Sequence, residues 1–96
     1  MATQVQAAKT LNYALVQRVR KGEQPVGEVC MAKNFSSEVA IDVCYEAVQI
    51  LGGMGITHDY SIMRHMVNLE TLITYQGTNE MHILITGRDI TGISAF

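Results

Sequence analysis

The amino-acid sequence predicts an all-α fold, an antiparallel helical bundle of three or four helices. Apolar residues recur at helical spacing along most of the chain, and glycines and the single proline fall between these segments. Of the 96 residues, 48% are hydrophobic and only 17% are charged, against about 25% charged in a typical soluble domain. A chain of this length forms one domain at most. Its low charge therefore indicates apolar faces that other domains or further copies of the chain cover.

Two long helices are predicted in the first half. The first, from about Thr3 to Lys21, has an apolar stripe formed by Val5, Ala8, Leu11, Leu15, Val16 and Val19. Pro25 then breaks the helix, and the second helix runs from about Glu28 to Leu51. Its apolar sector is wide, which is typical of a helix covered on more than one side. The glycines after Leu51 end it, because glycine adopts left-handed backbone conformations at no steric cost.

Two shorter helices are predicted in the second half. One runs from about Tyr60 to Asn68, and its expected inward residues are Ile62, Met63, Met66 and Leu69. The next apolar residues, Leu72, Ile73 and Tyr75, have strand-like propensity and are expected to form an extended linker. The last helix runs from about Asn79 to Ile90 and is ended by Gly92. The side of this helix expected to pack is formed by Met81, Leu84, Ile85 and Arg88.

Charge and composition exclude several classes of function. The net charge is −2 and no basic run occurs, so nucleic acid is not an expected partner. No run of about 18 apolar residues is present, so no membrane span is expected. Cys30 and Cys44 are expected to be reduced thiols in the core. The three histidines lack zinc-like spacing, so no metal site is predicted, and His82 is expected at the surface or at an interface.

Two stretches have the chemistry of a ligand site. Gly77 and the N-cap residue Thr78 open a helix whose free N–H groups attract anions, whereas Glu80 in its first turn would repel phosphate and suits a ribose hydroxyl better. Most helices begin with a cap and bind nothing, so this signal is weak. The glycines at 52, 53 and 55 form either a simple helix end or a shallow surface for a flat ligand.

The same stretches resemble the C-terminal helical domain of the acyl-CoA dehydrogenase family. The matching motifs are residues 49–56 (QILGGMGI), 63–65 (MRH) and 75–78 (YQGT), in the family's order and spacing. Residues 87–96 (GRDITGISAF) narrow the resemblance to glutaryl-CoA dehydrogenases and related short-chain acyl-CoA oxidases. The resemblance covers nearly the whole chain. It implies that residues 1–96 are one such domain without its first helix.

The resemblance also implies a cofactor, a substrate and partners. Family members hold FAD between three domains and a neighbouring subunit of a tetramer, and they desaturate the α,β bond of an acyl-CoA. Residues matching the family pattern at Gln49, Gly52 and Gly53 contact the FAD of the partner subunit. Those at Thr78 and Glu80 hold the adenosine-diphosphate part of the chain's own FAD, and those at Tyr75 and Gly77 contact the acyl thioester. The implied partners are acyl-CoA, the other domains and further copies in a dimer or tetramer.

Gln76 departs from that pattern. Glutaryl-CoA and medium-chain members have glutamate here, which removes the α proton of the substrate. An amide is not basic near neutral pH, although it is nearly isosteric with glutamate and can form hydrogen bonds. Three explanations stay open: an introduced change that stops turnover, a natural member with other chemistry, or a base on a preceding helix. Glu70, the nearest upstream carboxylate, is expected to be a surface or helix-end charge.

The predicted function is therefore that of a domain of an FAD-dependent acyl-CoA dehydrogenase of the glutaryl-CoA type. By itself the chain is expected neither to hold FAD nor to turn over substrate. The alternative is a non-catalytic helical binding or oligomerisation module derived from that family. The resemblance implies a cytoplasmic location in a bacterium, or the mitochondrial matrix in a eukaryote.

Overall fold

The computed structural model describes residues 1–96 and contains four α-helices, one 3₁₀ turn and no strand. The helices are α1 (Ala2–Arg20), α2 (Val26–Leu51), α3 (Ile62–Thr74) and α4 (Asn79–Thr91), and the 3₁₀ turn (Gly52–Ile56) follows α2 directly. The all-α prediction is thus confirmed.

Helix α2 is the central element, and α1, α3 and α4 all pack against it. Helix α1 is antiparallel to α2: the Asn12 amide donates to the Ser36 hydroxyl over 2.7 Å, and Arg18 pairs with Glu28 at the other end. Helix α3 ends beside Lys33, near the first third of α2. Helix α4 then runs from Asn34 towards Gly27, near the start of α2. Both helices are therefore antiparallel to α2.

Helices α3 and α4 therefore lie end to end along α2, like one rod broken at residues 75–78. With 26 residues, α2 is about 39 Å long, which is enough to support both shorter helices. The broken rod and α1 occupy different sides of α2. The molecule is consequently long and flat, with dimensions of 48 × 29 × 17 Å.

Glycine and proline end the helices where the sequence predicts. Pro25 is the N-cap of α2, where its missing N–H costs nothing because the first helical N–H groups have no partner within the helix. Gly52 follows α2 with φ +60°, and Gly92 follows α4 in the left-handed conformation with φ +73°. The predicted end of α3 is wrong. The helix continues through Leu72 and Ile73 to Thr74, because packing along α2 outweighs the local strand propensity.

The predicted packing face of α4 is correct only for Ile85, which is half-buried. Met81, Leu84 and Arg88 are exposed, whereas the side facing α2 contains the buried His82 and the half-buried Thr86. Both of these last residues make polar contacts with α2. Most of the apolar stripe of α4 is therefore turned outward. The predicted face of α3 is correct, since Ile62, Met63, Met66 and Leu69 are all half-buried.

Very little of the chain is enclosed. Only 11 of 96 residues are buried, and no large side chain is completely shielded from solvent. The radius of gyration is 15.8 Å, compared with about 12–13 Å for a compact domain of this length. Large apolar side chains such as Tyr13, Ile83 and Ile90 are 62–71% exposed. These exposed faces agree with the low charge content and require further covering.

An open groove of about 510 Å³ lies between α1 and α3 over α2. Its apolar lining includes Leu15, Val16, Val19, Val29 and Leu72, and Lys33 lies along it. Cys30 and Cys44 are free thiols. Cys30 is buried and Cys44 is half-buried, and burial raises the pKa of both thiols, which favours their protonated form.

One segment is long and apolar enough to be compared with a membrane-spanning helix. Residues Val26–Ile56 have the length and composition of a membrane-crossing helix, contrary to the expectation that no stretch is long enough. The central helix of a helical bundle can have the same length and apolar composition, and α2 is the helix against which α1, α3 and α4 pack.

Candidate functional site

The turn formed by Tyr75–Thr78 interrupts the α3–α4 rod and contains most of the predicted site residues. Tyr75 is extended and still donates its N–H to the Thr71 carbonyl, over 3.0 Å. Gln76 has φ +53° and Gly77 has φ +91°, two consecutive positive values. Gln76 is the only non-glycine residue of the chain with a positive φ. A long side chain in this conformation is strained, and such strain persists only where surrounding contacts impose it.

Lys33 supplies one such contact from helix α2. Its ammonium group donates to the Tyr75 carbonyl over 2.9 Å and to the Gly77 carbonyl over 2.6 Å. These two carbonyls lie on either side of Gln76. Hydrogen bonds with a charged donor are among the stronger ones in proteins, so the two bonds hold the turn against α2.

The next residue of α2, Asn34, fixes the start of α4. Its amide nitrogen donates to the Asn79 carbonyl over 3.1 Å, and its amide oxygen lies 3.2 Å from Nδ1 of His82. Because that oxygen can only accept, the pairing assigns a proton to Nδ1. The imidazole is buried and lies under Gly77, where an added Cβ would be 2.8 Å from Nε2. His82 is therefore not at the surface, the first of the two positions expected for it; it packs between α4 and α2.

Thr78 caps helix α4 as predicted. Its hydroxyl accepts a hydrogen bond from the Met81 N–H over 3.3 Å. The pKa of Glu80 lies below its ordinary value, because the backbone N–H of Glu80 and the Thr78 hydroxyl both hydrogen-bond its carboxylate. Glu80 is exposed and stays ionised near neutral pH. The N–H groups of Glu80 and Met81 are therefore occupied at this helix end. With the negative charge of Glu80 beside it, the end suits a hydroxyl-bearing ligand better than a bare phosphate.

The second predicted stretch, which we call the glycine surface, consists of Gln49, Gly52 and Gly53. All three residues are exposed, and a Cβ added at either glycine would meet nothing within 4 Å. Gly55, in contrast, is buried and lies against the backbone of Val48. The 3₁₀ turn therefore folds back on α2 through Gly55 and leaves the other two glycines facing outward, open to a flat ligand.

The structure separates the two stretches. Gln49 lies sixteen positions after Lys33, the residue beside the turn, in the same helix α2, which is a distance of about 24 Å. The turn brings Tyr75, Gln76, Gly77, Thr78 and Glu80 together, but not with the glycine surface. None of the four surface cavities is lined by any predicted site residue. The site residues are contact surfaces rather than a closed pocket.

The Gln76 side chain is exposed and makes no hydrogen bond within the chain. Glu70, considered as a substitute carboxylate, is exposed within α3, where its backbone carbonyl accepts from the Thr74 hydroxyl. It belongs to the helix surface, as expected.

Comparison with known proteins identifies the architecture. Residues 1–91 match the model of the family described as acyl-CoA dehydrogenase, C-terminal domain. The chain belongs to the acyl-CoA dehydrogenase family. It is 37% identical over 87 residues to the short-chain specific acyl-CoA dehydrogenase of Megasphaera elsdenii, covering 91% of this chain and 23% of that protein.

Solved structures of acyl-CoA dehydrogenases share the fold. Glutaryl-CoA dehydrogenase from Mycobacterium smegmatis superposes with a TM-score of 0.85 at 40% identity, covering 91% of this chain and 22% of that one. A glutaryl-CoA dehydrogenase from the same organism in complex with FADH2 gives a TM-score of 0.73 at 40% identity, over 82% of this chain and 20% of that one. The chain thus spans about a quarter of the length of these relatives.

Acyl-CoA dehydrogenases are FAD-dependent, and the exposed residues here fit part of such a cofactor. The outward glycines leave room for a flat group, and the start of α4 offers the ionised Glu80 carboxylate as a hydrogen-bond acceptor. Neither surface encloses a molecule of that size. The fit is therefore that of two partial contact surfaces.

Sequence reasoning missed the residues that hold the turn. Lys33, Asn34 and His82 carry no motif of their own, and the two residues of α2 are more than 40 positions from the turn in sequence. The only available signal was the pair of adjacent polar residues, Lys33 and Asn34, within the apolar helix α2. A polar pair at such a position indicates a buried polar partner.

Proposed function

We propose that this chain is the C-terminal, FAD- and acyl-CoA-contacting domain of a protein that desaturates the α,β bond of a short acyl-CoA of the glutaryl-CoA type. The observation that carries the proposal is the turn at 75–78, with two consecutive positive φ values followed by a capped helix. A domain that served only as a helical scaffold would have no need of a strained, solvent-facing turn at this point.

In the proposal the turn contacts the chain's own ligands. Tyr75 and Gly77 would contact the acyl thioester, and the exposed position of both supports this. Thr78 and Glu80 would hold the adenosine-diphosphate part of FAD. The ionised carboxylate of Glu80 suits a ribose hydroxyl, and the positive end of the α4 dipole favours the more distant phosphates.

The glycine surface would contact FAD bound by a second subunit. Its separation of about 24 Å from the turn, along α2, supports assigning the two surfaces to different cofactor sites. Gln49 would donate or accept hydrogen bonds there, while Gly52 and Gly53 would allow close approach of the ring. The active assembly would then be a dimer or tetramer.

Gln76 would occupy the position of the proton-abstracting glutamate. FAD, when bound, supplies the acceptor for the hydride that leaves the β carbon of the substrate. The Gln76 amide cannot take up the α proton, although it preserves the shape and hydrogen-bonding capacity of the carboxyl group. Removal of a positioned base costs about 10²–10⁴-fold in rate. We therefore assign Gln76 to binding, and we expect proton abstraction to be slow unless a base elsewhere in the intact protein replaces the missing glutamate.

Other domains of a longer protein would cover the exposed faces. The groove between α1 and α3 has an apolar lining, and one more antiparallel helix, the first helix of the domain, would cover it. Acyl-CoA, the neighbouring domains and other subunits would be the partners. No nucleic acid and no membrane span form part of the proposal. The location would be the cytoplasm of a bacterium or the mitochondrial matrix of a eukaryote.

The test is made on the intact flavoprotein that contains this domain. Its visible absorption would report bound flavin, and bleaching on addition of glutaryl-CoA or butyryl-CoA would report hydride transfer. Absence of flavin from the intact protein would exclude the proposal. Q76E should raise the bleaching rate at least tenfold if position 76 faces the α carbon. Q24E, at an exposed position in the α1–α2 loop, is the matched control and should change nothing.

A second candidate function is a non-catalytic binding or oligomerisation module on the same scaffold. Gln76 favours this alternative, since it removes the expected base. The module would bind acyl-CoA without bleaching flavin, and Q76E would leave it inactive. Calorimetric titration with acyl-CoA, combined with the bleaching assay, separates the two functions.

A further inference from the structure

Lys33 makes two hydrogen bonds that have no role in the proposed chemistry. It lies on α2, is half-buried, and directs its ammonium group at the break between α3 and α4. The residues on either side of the break are already anchored, Tyr75 by its N–H to Thr71 and Thr78 by its capping bond. Between these anchors, Lys33 provides the only side-chain hydrogen bonds to the turn.

We propose that Lys33 is a positioning residue that holds residue 76 in the left-handed conformation by bridging the carbonyls of Tyr75 and Gly77. Only the role of the turn in contacting a ligand rests on the proposed function. The conformational claim itself stands on two distances, 2.9 and 2.6 Å, and on the φ of +53° at Gln76.

The geometry explains why a cation is suited to this position. Two carbonyl oxygens separated by one residue converge on one ammonium group, which has three donors and no acceptor. Convergence of two carbonyl dipoles on the same side is unfavourable without a positive charge between them. A neutral side chain of similar length cannot supply that charge, whereas arginine can.

The bridge also decides where the side chain of residue 76 points. With both flanking carbonyls directed at α2, the backbone of residue 76 is fixed at two points, and its side chain leaves the turn towards solvent. Loss of the bridge would free the peptide groups on both sides to rotate. Lys33 would therefore set the direction of any residue at position 76, whether amide or carboxylate.

The first experiment uses NMR on the 96-residue protein and needs no ligand. The Cα and Cβ shifts of Gln76 report its backbone conformation. K33M should move them from left-handed to ordinary values, K33R should restore them, and K9M, at an exposed lysine of α1, should leave them unchanged. Left-handed shifts at Gln76 in K33M would overturn the proposal.

A measurement without mutation covers the case in which K33M does not fold. The Lys33 ammonium should exchange its protons with water at least threefold more slowly than the ammonium of Lys9, because two of its protons are hydrogen-bonded. Equal exchange rates would overturn the proposal.

The final measurement uses the intact flavoprotein carrying Q76E. K33M added to Q76E should lower kcat for acyl-CoA at least tenfold and change KM by less than threefold, because the base is misdirected while most contacts with the substrate remain. An unchanged kcat would overturn the positioning role. No activity in Q76E itself, together with the NMR result above, would count against the proposed function and leave Lys33 as the residue that shapes the turn.

Discussion

The imidazole of His82 lies directly beneath Gly77, so that a Cβ on residue 77 would stand 2.8 Å from Nε2. The same glycine has φ +91°. Backbone conformation and side-chain packing therefore exclude larger residues here independently. Gly77 is required by the fold of the turn, whatever ligand the turn contacts.

Replacement of Gly77 by alanine should consequently destabilise the protein. G77A must accommodate both a positive φ and the contact with His82, and we expect a loss of about 1–3 kcal/mol in the free energy of unfolding. Urea unfolding followed by circular dichroism measures it. G87A is the control: Gly87 lies within α4 with nothing within 4 Å of an added Cβ, so a gain of about 0.5–1 kcal/mol is expected. Equal stabilities for G77A and the wild type would contradict this packing.

Removal of the Asn34 amide should loosen α4 from α2. N34A deletes the hydrogen bonds to the Asn79 carbonyl and to the buried His82, leaving polar groups without partners at a cost of about 1–3 kcal/mol. Thermal unfolding measures the loss. N68A, at an exposed position of α3, should change stability by less than about 0.5 kcal/mol. If N34A and N68A had the same melting temperature, the Asn34 contacts would contribute no stability.

Acid should weaken the corner between α1 and α2. The Arg18 guanidinium donates to Glu28 over 3.0 Å and lowers the pKa of that carboxyl from its ordinary value. A carboxyl whose pKa is lower in the folded state stabilises the fold above its unfolded pKa and loses that contribution as pH falls through the folded value. The effect is small because both side chains are more than 40% exposed.

E28Q should therefore be slightly less stable than the wild type near neutral pH, and the difference should shrink as the pH falls below about 4. Urea unfolding at a series of pH values measures it, with E38Q, at an exposed position of α2, as the control. A difference between E28Q and the wild type that stays constant with pH would contradict the assignment.

The 96-residue protein should associate with itself. Its exposed apolar side chains include the outward stripe of α4, where Ile83 is 62% exposed. Sedimentation velocity at tens of micromolar should show species larger than a monomer. I83K should shift the distribution towards monomer with little loss of stability, because the side chain has few contacts to lose. A wild-type protein that sediments as a clean monomer would show that these faces need no covering.

Helix periodicity and glycine positions were sufficient to predict the fold class, because both act locally. Pro25, Gly52 and Gly92 each end or begin a helix for reasons that involve only their neighbours. The extension of α3 to Thr74 and the outward stripe of α4 could not be predicted in this way. Both depend on which surface α2 offers, and that surface is set by residues far away in sequence.

The same distinction between local and distant determinants applies to the candidate site. The exposed residues from Tyr75 to Glu80 and the glycine surface were predicted from motifs, whereas their supports were not. A lysine directed at two carbonyls leaves no pattern in the neighbouring sequence, since its partners are 42 and 44 positions away. Prediction from sequence therefore named the candidate contact residues and missed the residues that hold the turn in place.

The hydrogen bonds from Lys33 end on main-chain oxygens alone. Main-chain oxygens are present whatever amino acid occupies the position, so the bridge does not depend on the identity of residue 76. Mutation could exchange a carboxylate for an amide there, and later reverse the exchange, without rebuilding the surrounding framework. The side chain at position 76 can therefore change in evolution while the fold of the turn is inherited unchanged.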